Sequence, residues 1–65
     1  MKISINIKCD NAIFWTDNTV FNREELRRIF SEIVKRFDDQ GHILNDHSKL
    51  YEDNGNYCGK VRVMN

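Results

Sequence analysis

Two cysteines and two histidines are the side chains that could bind a metal ion or attack a substrate. On paper they supply the four ligands of tetrahedral zinc: Cys9, His42, His47 and Cys58. Zinc sites usually draw on tight local pairs of ligands, and here only the two histidines lie close in sequence. Both fall in a polar connector, where a histidine is more often solvated. We therefore expect no metal ion and no other cofactor.

Catalytic chemistry is no better supported than metal binding. A nucleophilic cysteine needs a neighbouring base and an orienting group, and the chain has no glycine-rich elbow to present one. The aspartates fall where turns are expected or near the end of the helix: Asp10, Asp17, Asp38, Asp39, Asp46 and Asp53. The segment 53–56 contains only a fragment of a calcium-loop pattern. We predict a protein that is not an enzyme and has no catalytic residues.

Composition places these residues in one small domain, residues 1–65. A chain of 65 residues cannot divide its buried surface between two cores. Ten basic and ten acidic side chains cancel, so no long-range field of one sign indicates a nucleic acid or a membrane. No signal peptide or membrane-spanning segment is recognisable, which predicts a cytoplasmic protein. In that reducing compartment we expect Cys9 and Cys58 to be buried or half-buried free thiols.

The N-terminal segment has the alternating pattern of a half-buried strand. From Lys2 to Cys9, three isoleucines and Cys9 point one way and polar residues point the other. An apolar cluster at Ala12–Trp15 follows, between two polar breaks. It is interpreted as either a short extra strand or a packed loop.

An amphipathic helix is predicted to begin at Arg23. Asn22 and Glu25 have capping-box spacing, and Phe21 is placed to form a hydrophobic staple with Leu26. Six apolar residues then fall on one stripe of the helix: Leu26, Ile29, Phe30, Ile33, Val34 and Phe37. Charges four apart on the other face predict ion pairs between 24 and 28, 28 and 32, and 32 and 36. Gly41 is expected to mark the stop just after the helix.

A connector and a β-hairpin complete the chain. In the connector at 42–48, Ile43 and Leu44 are expected to close the end of the core. Asn54 and Gly55 predict a two-residue type I′ turn. That turn would place Tyr51 opposite Cys58, residue 50 opposite 59 and residue 49 opposite 60. The inward face of the hairpin would then hold the following residues: Leu50, Tyr57, Gly59, Val61 and Val63.

The predicted fold is a small α+β domain of β-α-β-β order. One amphipathic helix packs on one face of a three-stranded antiparallel sheet, with a fourth short strand at 12–15 as the alternative. The last strand carries the most inward apolar positions, so we place it centrally, antiparallel to the first, with the Lys49 strand at one edge.

One helix cannot cover both faces of a sheet, and the uncovered face is predicted to be basic. It would carry five cations and no carboxylate: Lys2, Ser4, Asn6, Lys8, Lys49, Tyr51, Cys58, Lys60 and Arg62. Such a face is either a solvated, aggregation-resistant surface or a docking surface for something anionic. Trp15 is a second candidate anchor, since it either caps the core or projects into a partner.

The arrangement resembles a group of short proteins encoded by phages and prophages, mostly of uncharacterised function. The likeness rests on the first strand followed by Asp10-Asn11-Ala12-Ile13-Phe14, the helix containing Glu25-Leu26-Arg27-Arg28-Ile29, and the closing Asp53-Asn54-Gly55-Asn56 with Gly59. This chain departs from the pattern at Ile13, at Trp15 and in a longer connector. The resemblance implies an accessory protein of a mobile element, a class that often binds and blocks host machinery, including CRISPR complexes.

Two functions follow as expectations. The first is a non-catalytic protein that binds and modulates or inhibits a host protein, with an anti-CRISPR-like role as its sharpest version. The alternative is a small nucleic-acid-binding module that uses the basic sheet face. The residues expected to contact a partner are Lys8, Trp15, Lys49, Tyr51, Lys60 and Arg62. We expect a monomer or a homodimer with no membrane partner, self-association being possible through the Lys49 edge strand or Trp15.

Overall fold

The fold comes from a computed structural model that describes residues 1–17, 19–43 and 48–64. Its strands are β1 (Lys2–Ile7), β2 (Trp15–Thr16), β3 (Val20–Phe21), β4 (Lys49–Tyr51) and β5 (Tyr57–Met64). The α-helix α1 spans Arg23–Lys35, and a short 3-10 helix spans Ala12–Phe14. The predicted α+β class is confirmed.

Strands β1, β5 and β4 form a three-stranded antiparallel sheet in that order. The central place of the last strand and the edge place of the Lys49 strand are therefore confirmed. β1 pairs with β5 in an unbroken register from Lys2 opposite Met64 to Ile7 opposite Gly59. Strands β2 and β3 pair separately as a two-stranded sheet, with Trp15 opposite Phe21. The apolar cluster at 12–15 is thus a 3-10 turn leading into a separate hairpin, and it adds no fourth strand to the main sheet.

The β4–β5 hairpin differs from the predicted one at its turn. Gly55 N–H donates to Glu52 O at 2.8 Å and Glu52 N–H donates to Asn56 O at 2.9 Å, which encloses a three-residue loop. Gly55 has a φ of 88°, whereas Asn54 is not among the residues with positive φ. The type I′ prediction was therefore wrong, and the loop has the form of a turn followed by a left-handed glycine.

A bulge in β5 restores the predicted register beyond the turn. Tyr51 lies opposite Tyr57, and the next pair is Leu50 opposite Gly59, so Cys58 is the extra residue. The predicted pairs at Leu50 and Lys49 are confirmed, but the pair of Tyr51 with Cys58 was wrong. Because one residue of β4 spans two of β5, the alternation of side chains changes phase at the bulge. Cys58 is consequently buried and Tyr57 exposed, the reverse of the predicted faces.

Gly59 follows the bulge and allows β5 to lie close to β1. A Cβ atom at this position would lie 1.9 Å from the backbone oxygen of Asn6. No side chain fits in that space, so the close approach of the two strands requires glycine.

The helix begins at Arg23, as predicted, and ends before the predicted stop at Gly41. The Asn22 side chain accepts a hydrogen bond from Glu25 N–H at 3.3 Å, which confirms the N-cap. The last helical residue is Lys35, and Gly41 lies in a separate turn that Gly41 N–H closes on Asp38 O at 3.1 Å. The expected stop at Gly41 was therefore too late.

The helix buries a narrower stripe than its pattern predicts. Ile29 and Ile33 are 1% and 4% exposed, but Phe30 and Val34 are 43% and 72% exposed. The ion pairs found on the helix join residues three apart, where four was predicted: Glu24–Arg27, Glu25–Arg28 and Glu32–Lys35. The core is too small to cover the whole apolar stripe, because a chain of this length can bury only a few side chains completely.

The fully buried core lies between the helix, the 3-10 turn and the β4–β5 hairpin: Phe14, Ile29, Ile33, Leu50, Cys58 and Val61. Ile43 packs against it half-buried, as expected, while Leu44 lies outside the described residues. Ile3 and Ile5 share the sheet side of Val61 but are 45% and 39% exposed, so their predicted burial was wrong. The domain measures 41 × 17 × 17 Å, and the core reaches Ile7 and Cys9 but not the beginning of β1.

Across residues 1–17, 19–43 and 48–64, no helix has the length and apolar character needed to cross a membrane.

Candidate functional site

A groove of about 330 Å³ lies on the sheet face opposite the helix. Strands β1 and β5 supply its walls, and Lys8 follows directly after β1. The lining combines polar and cationic groups with apolar surface: Ser4, Asn6, Lys8, Tyr57, Cys58, Gly59, Lys60 and Arg62. Three of these residues are cationic and none is a carboxylate, so the groove suits an anionic ligand.

The strand register places the cations of this face in rows across the sheet. Lys60 on the central strand lies opposite Asn6 on one side and opposite Lys49 on the other. Arg62, two residues further along β5, lies opposite Ser4. Two lysines directly opposite each other on neighbouring strands repel, which destabilises the folded sheet. Lys49 and Lys60 form the clearest repulsive pair on this face of the sheet.

No carboxylate offsets that repulsion within the described part of the chain. Of the cations on this face, Lys8, Lys49, Lys60 and Arg62 make no ion pair with a described residue. The carboxylates that do form pairs lie on the helix, next to it, or at the hairpin turn. The open face therefore keeps its positive charge available to a ligand.

The bulge adds an aromatic pair to the cationic face. Tyr57 lines the groove, and Tyr51 lies opposite it with ring centroids 6.1 Å apart and an edge-to-face angle of 77°. Both rings are about half exposed, at 48% for Tyr51 and 53% for Tyr57. The sequence pattern placed only Tyr51 here, because strict alternation assigns Tyr57 to the inner face. The bulge that moves Tyr57 to this face is set by the tertiary pairing of the strands, so no local sequence pattern locates it.

The two thiols are poorly suited to nucleophilic chemistry. Cys58 is 2% exposed and Cys9 is half-buried, and both are free. Burial raises the pKa of the Cys58 thiol, and the nearby Cys9 raises it further. Burial, followed by the charge of Asp10, likewise raises the pKa of Cys9. A raised pKa lowers the thiolate fraction near neutral pH, so both side chains act as packing groups.

The possible metal ligands do not come together in the described ranges. No group of three or more histidine, cysteine, aspartate or glutamate side chains has a metal-binding arrangement among residues 1–17, 19–43 and 48–64. His42 is exposed and lies 3.5 Å from a carboxylate oxygen of Asp38. Asp38 also accepts hydrogen bonds from the backbone N–H groups of His42 and Gln40, which lower its pKa. His47 lies outside the described residues.

Trp15 is held on the small β2–β3 hairpin, and it is not one of the groove residues. Its indole N–H donates to Cys9 O at 2.8 Å, and its ring meets Phe21 edge-on at 5.4 Å. Phe21 also stacks on the buried Phe14 at 6.3 Å. Trp15 therefore shields one side of the core while 41% of its surface remains exposed.

A buried polar network, absent from the sequence-based predictions, fixes the hairpin to the helix. Glu25 is 5% exposed and accepts two hydrogen bonds from Arg28, at 2.8 and 3.1 Å. It also accepts Asp53 N–H at 2.6 Å. The hydrogen bond from Arg28 lowers the pKa of Glu25 in spite of burial.

A second buried carboxylate lies beside this network. Glu52 is 3% exposed and accepts Asn56 N–H at 3.0 Å. Both carboxylates thus bond backbone N–H groups of the hairpin turn, which explains why the turn closes as a three-residue loop. The other carboxylate oxygen of Glu52, Oε2, is buried without a hydrogen-bond partner among the described residues. Because the remaining carboxylate oxygens bond groups of the chain itself, we assign this network to the architecture of the hairpin.

Five of the six predicted contact residues lie on the sheet or next to it. Lys8, Lys60 and Arg62 line the groove, Lys49 lies opposite Lys60, and Tyr51 packs on Tyr57. Trp15 belongs to the separate hairpin described above. Comparisons with protein-family models, curated proteins and solved structures find no match to this chain.

Proposed function

We propose that this chain is a cytoplasmic, non-catalytic binding protein whose open sheet face holds a polyanion, and that single-stranded nucleic acid is the ligand the geometry supports best. The observation that carries the proposal is the positive charge of this face, above all Lys49 directly opposite Lys60. These cations form no ion pair with a described residue. Two like charges in cross-strand contact destabilise the free protein. A ligand that places phosphates between the two lysines relieves that repulsion, and both lysines then bind the phosphates.

The aromatic pair favours a single strand over a duplex. Exposed bases stack on aromatic rings, whereas the bases of a duplex are stacked on one another. Tyr57 lies in the groove beside Lys8 and Lys60, so a base on its ring keeps the adjacent backbone next to cations. Tyr51 supports the ring of Tyr57 edge-on and offers a second exposed surface.

Fluorescence anisotropy with a labelled single-stranded oligonucleotide tests this function. The association constant should fall as salt rises, with a logarithmic slope of about −2 to −3 if three or four phosphates are contacted. Tyr57→Leu should weaken binding about tenfold, since stacking contributes roughly 1 to 3 kcal/mol per base.

Lys60→Glu gives the most specific result, because binding and stability should change in opposite directions. The variant should bind at least about tenfold more weakly. Its folded state should be as stable as the native one or more so by about 0.5 kcal/mol, since a glutamate opposite Lys49 replaces repulsion by attraction. The matched control is Arg27→Glu, which makes the same change of charge on the exposed helix face. Absence of binding at low salt, or equal losses in the two variants, would contradict the proposal.

A second candidate is an accessory protein of a mobile element that binds and modulates or inhibits a host protein, with an anti-CRISPR-like role as the sharpest version. It is favoured by the resemblance to short phage proteins and by apolar exposure on the small hairpin. Trp15 and Val20 are 41% and 61% exposed. Trp15 pairs with Phe21 and Val20 with Thr16, so the two exposed side chains lie on opposite faces of the hairpin. In this case the contact surface is the hairpin, and the basic face is a secondary contact.

Capture from a nuclease-treated bacterial lysate distinguishes the two functions. A protein retained by the native chain and by Lys60→Glu, but lost with Val20→Lys, would support the host-protein function. Recovery of nucleic acid alone from an untreated lysate would support the nucleic-acid function and rule out the second candidate.

A further inference from the structure

The outer edge of β1 carries backbone groups with no partner among the described residues. Lys8 N–H donates to Cys58 O at 2.6 Å, which fixes the phase of the β1–β5 ladder. In an antiparallel pair, alternate residues bond to the neighbouring strand and the residues between them direct N–H and C=O outward. Even-numbered residues of β1 therefore bond to β5, while Ile3 and Ile5 present their backbone groups to the open side.

The opposite edge of the same sheet is closed. Ser48 O accepts Val61 N–H at 2.8 Å, so the outward carbonyls of β4 belong to Lys49 and Tyr51. Arg36 donates to Lys49 O, and Arg28 donates to Tyr51 O at 3.2 Å. Arg28 of the helix and Arg36, the residue directly after it, thus each donate to one outward carbonyl of β4. No described residue does the same for β1.

β1 also lacks most of the features that prevent an edge strand from pairing with another chain. It has no proline, and its register with β5 runs through six consecutive pairs without a bulge. Only lysines near its two ends, Lys2 and Lys8, oppose association. Between them Ile3 and Ile5 are 45% and 39% exposed on one face.

We propose that the β1 edge binds β1 of a second copy of this chain, antiparallel, with Ile3 opposite the partner's Ile5 and Ser4 opposite the partner's Ser4. Because the odd-numbered residues of β1 direct their backbone groups outward, hydrogen-bonded pairs between the two copies must join odd-numbered residues. This register meets that condition and brings the exposed isoleucines of both copies together on one side of the sheet.

Charge selects this register over its neighbours. Shifted by one step, with Ile5 opposite the partner's Ile5, Lys2 would lie opposite the partner's Lys8, a repulsive pair. Shifted the other way, with Ile3 opposite the partner's Ile3, fewer residues pair. In the proposed register Lys2 faces the partner's Asn6, and no two cations are directly opposite.

The resulting dimer has a continuous six-stranded sheet. Its two-fold axis passes through the Ser4 pair perpendicular to the sheet, so the two basic grooves lie on the same side. One strand pair buries less surface than a standard protein interface, so we expect a dissociation constant of roughly 10 to 100 μM. The proposal does not depend on the ligand, because it rests on backbone phase and on the exposed isoleucines.

Sedimentation equilibrium of the nucleic-acid-free, reduced protein tests the association. A concentration series should show a monomer–dimer equilibrium, and Ile3→Lys should raise the dissociation constant by about tenfold or more. The matched control is Val34→Lys, a substitution at an exposed apolar position of the helix. A monomer at all concentrations, or a larger loss with Val34→Lys than with Ile3→Lys, would overturn the proposal.

Cross-linking tests the register itself. Ser4→Cys should form an intermolecular disulfide with oxidised glutathione, because paired residues at a non-hydrogen-bonded site lie about 4.5 Å apart at Cα, within the range of a disulfide. The native chain sets the background from Cys9 and Cys58. Asn6→Cys alone should not exceed that background, whereas a mixture of Asn6→Cys and Lys2→Cys should cross-link. Efficient linkage of Asn6→Cys to itself would overturn the register.

Discussion

The two edges of the main sheet differ in whether the outward backbone groups of the edge strand have hydrogen-bond partners. At β4 the strand is three residues long, a bulge interrupts its pairing, and Arg28 and Arg36 bind its outward carbonyls. At β1 the strand is six residues long and regular, and isoleucines are exposed beside it. An unprotected edge strand is a template for pairing with another chain. One molecule thus holds a closed edge and an open one, and the difference comes from where the helix lies.

The largest effect is expected at Gly59, a residue of β5 that pairs with both edge strands. Ile7 lies opposite it on the β1 side and Leu50 on the β4 side. In Gly59→Ala the added methyl group would meet the backbone oxygen of Asn6, and backbone cannot move aside without separating the strands. We expect a loss of about 3 kcal/mol or more in the free energy of unfolding, measured by urea denaturation.

Gly55→Ala is the matched control for that substitution. Gly55 adopts a positive φ, which Gly59 does not, but a Cβ atom at Gly55 would meet nothing within 4 Å. The expected loss is only about 1 kcal/mol, the cost of strain at the turn. Equal losses at the two glycines would show that β5 and β1 are not in the close contact described above.

A smaller effect is expected from opening the closed edge. Arg28→Met keeps the aliphatic stem of the side chain but removes the donor to Tyr51 O and the partner of buried Glu25. We expect a loss of roughly 2 kcal/mol in the free energy of unfolding, because a buried carboxylate is left without its cation. The control is Arg27→Met, whose ion pair with Glu24 is exposed, and it should change stability by less than about 0.5 kcal/mol. Similar losses in both variants would mean that the β4 edge is not stabilised by the network.

The smallest effect is a pH dependence that arises at the closed edge. The hydrogen bond from Arg28 lowers the pKa of Glu25 below its ordinary value of about 4.3. The contribution of Glu25 to stability is therefore present above that value and is lost as the pH falls through the lower, folded-state pKa. Stability measured between neutral and acidic pH should decline less steeply in Glu25→Gln than in the native protein. Glu24→Gln, at an exposed position, should leave the slope unchanged; parallel slopes for all three proteins would contradict this assignment.

The main elements were predictable because their signals are local. The helix begins at Arg23 because Asn22 can cap it, and the strand over Lys2–Ile7 follows from strict alternation. The position of β5 at the centre followed from its apolar content. Three of the six predicted contact residues were found in one groove because alternation holds along the regular part of β1 and β5.

The features that were mispredicted depend on contacts between distant segments. The turn at 53–55 closes as a three-residue loop because Glu25, on the helix, accepts Asp53 N–H. The compensating bulge at Cys58 then moves Tyr57 to the basic face, which no local pattern indicates. Ile3 and Ile5 remain exposed because the core does not extend to that part of β1, although their alternation is that of a half-buried strand.

By itself the sequence determined the α+β class, the order of the helix and the three strands of the main sheet, the helix N-cap and the presence of a row of cations on one side of a sheet. These properties depend on periodicity and capping, which act within a few residues. Only the tertiary structure decided which strand edge is closed, which tyrosines join the cations, and which carboxylates are buried. Those outcomes depend on where the helix lies against the hairpin, since its arginines and Glu25 form hydrogen bonds with backbone groups more than ten residues away along the chain.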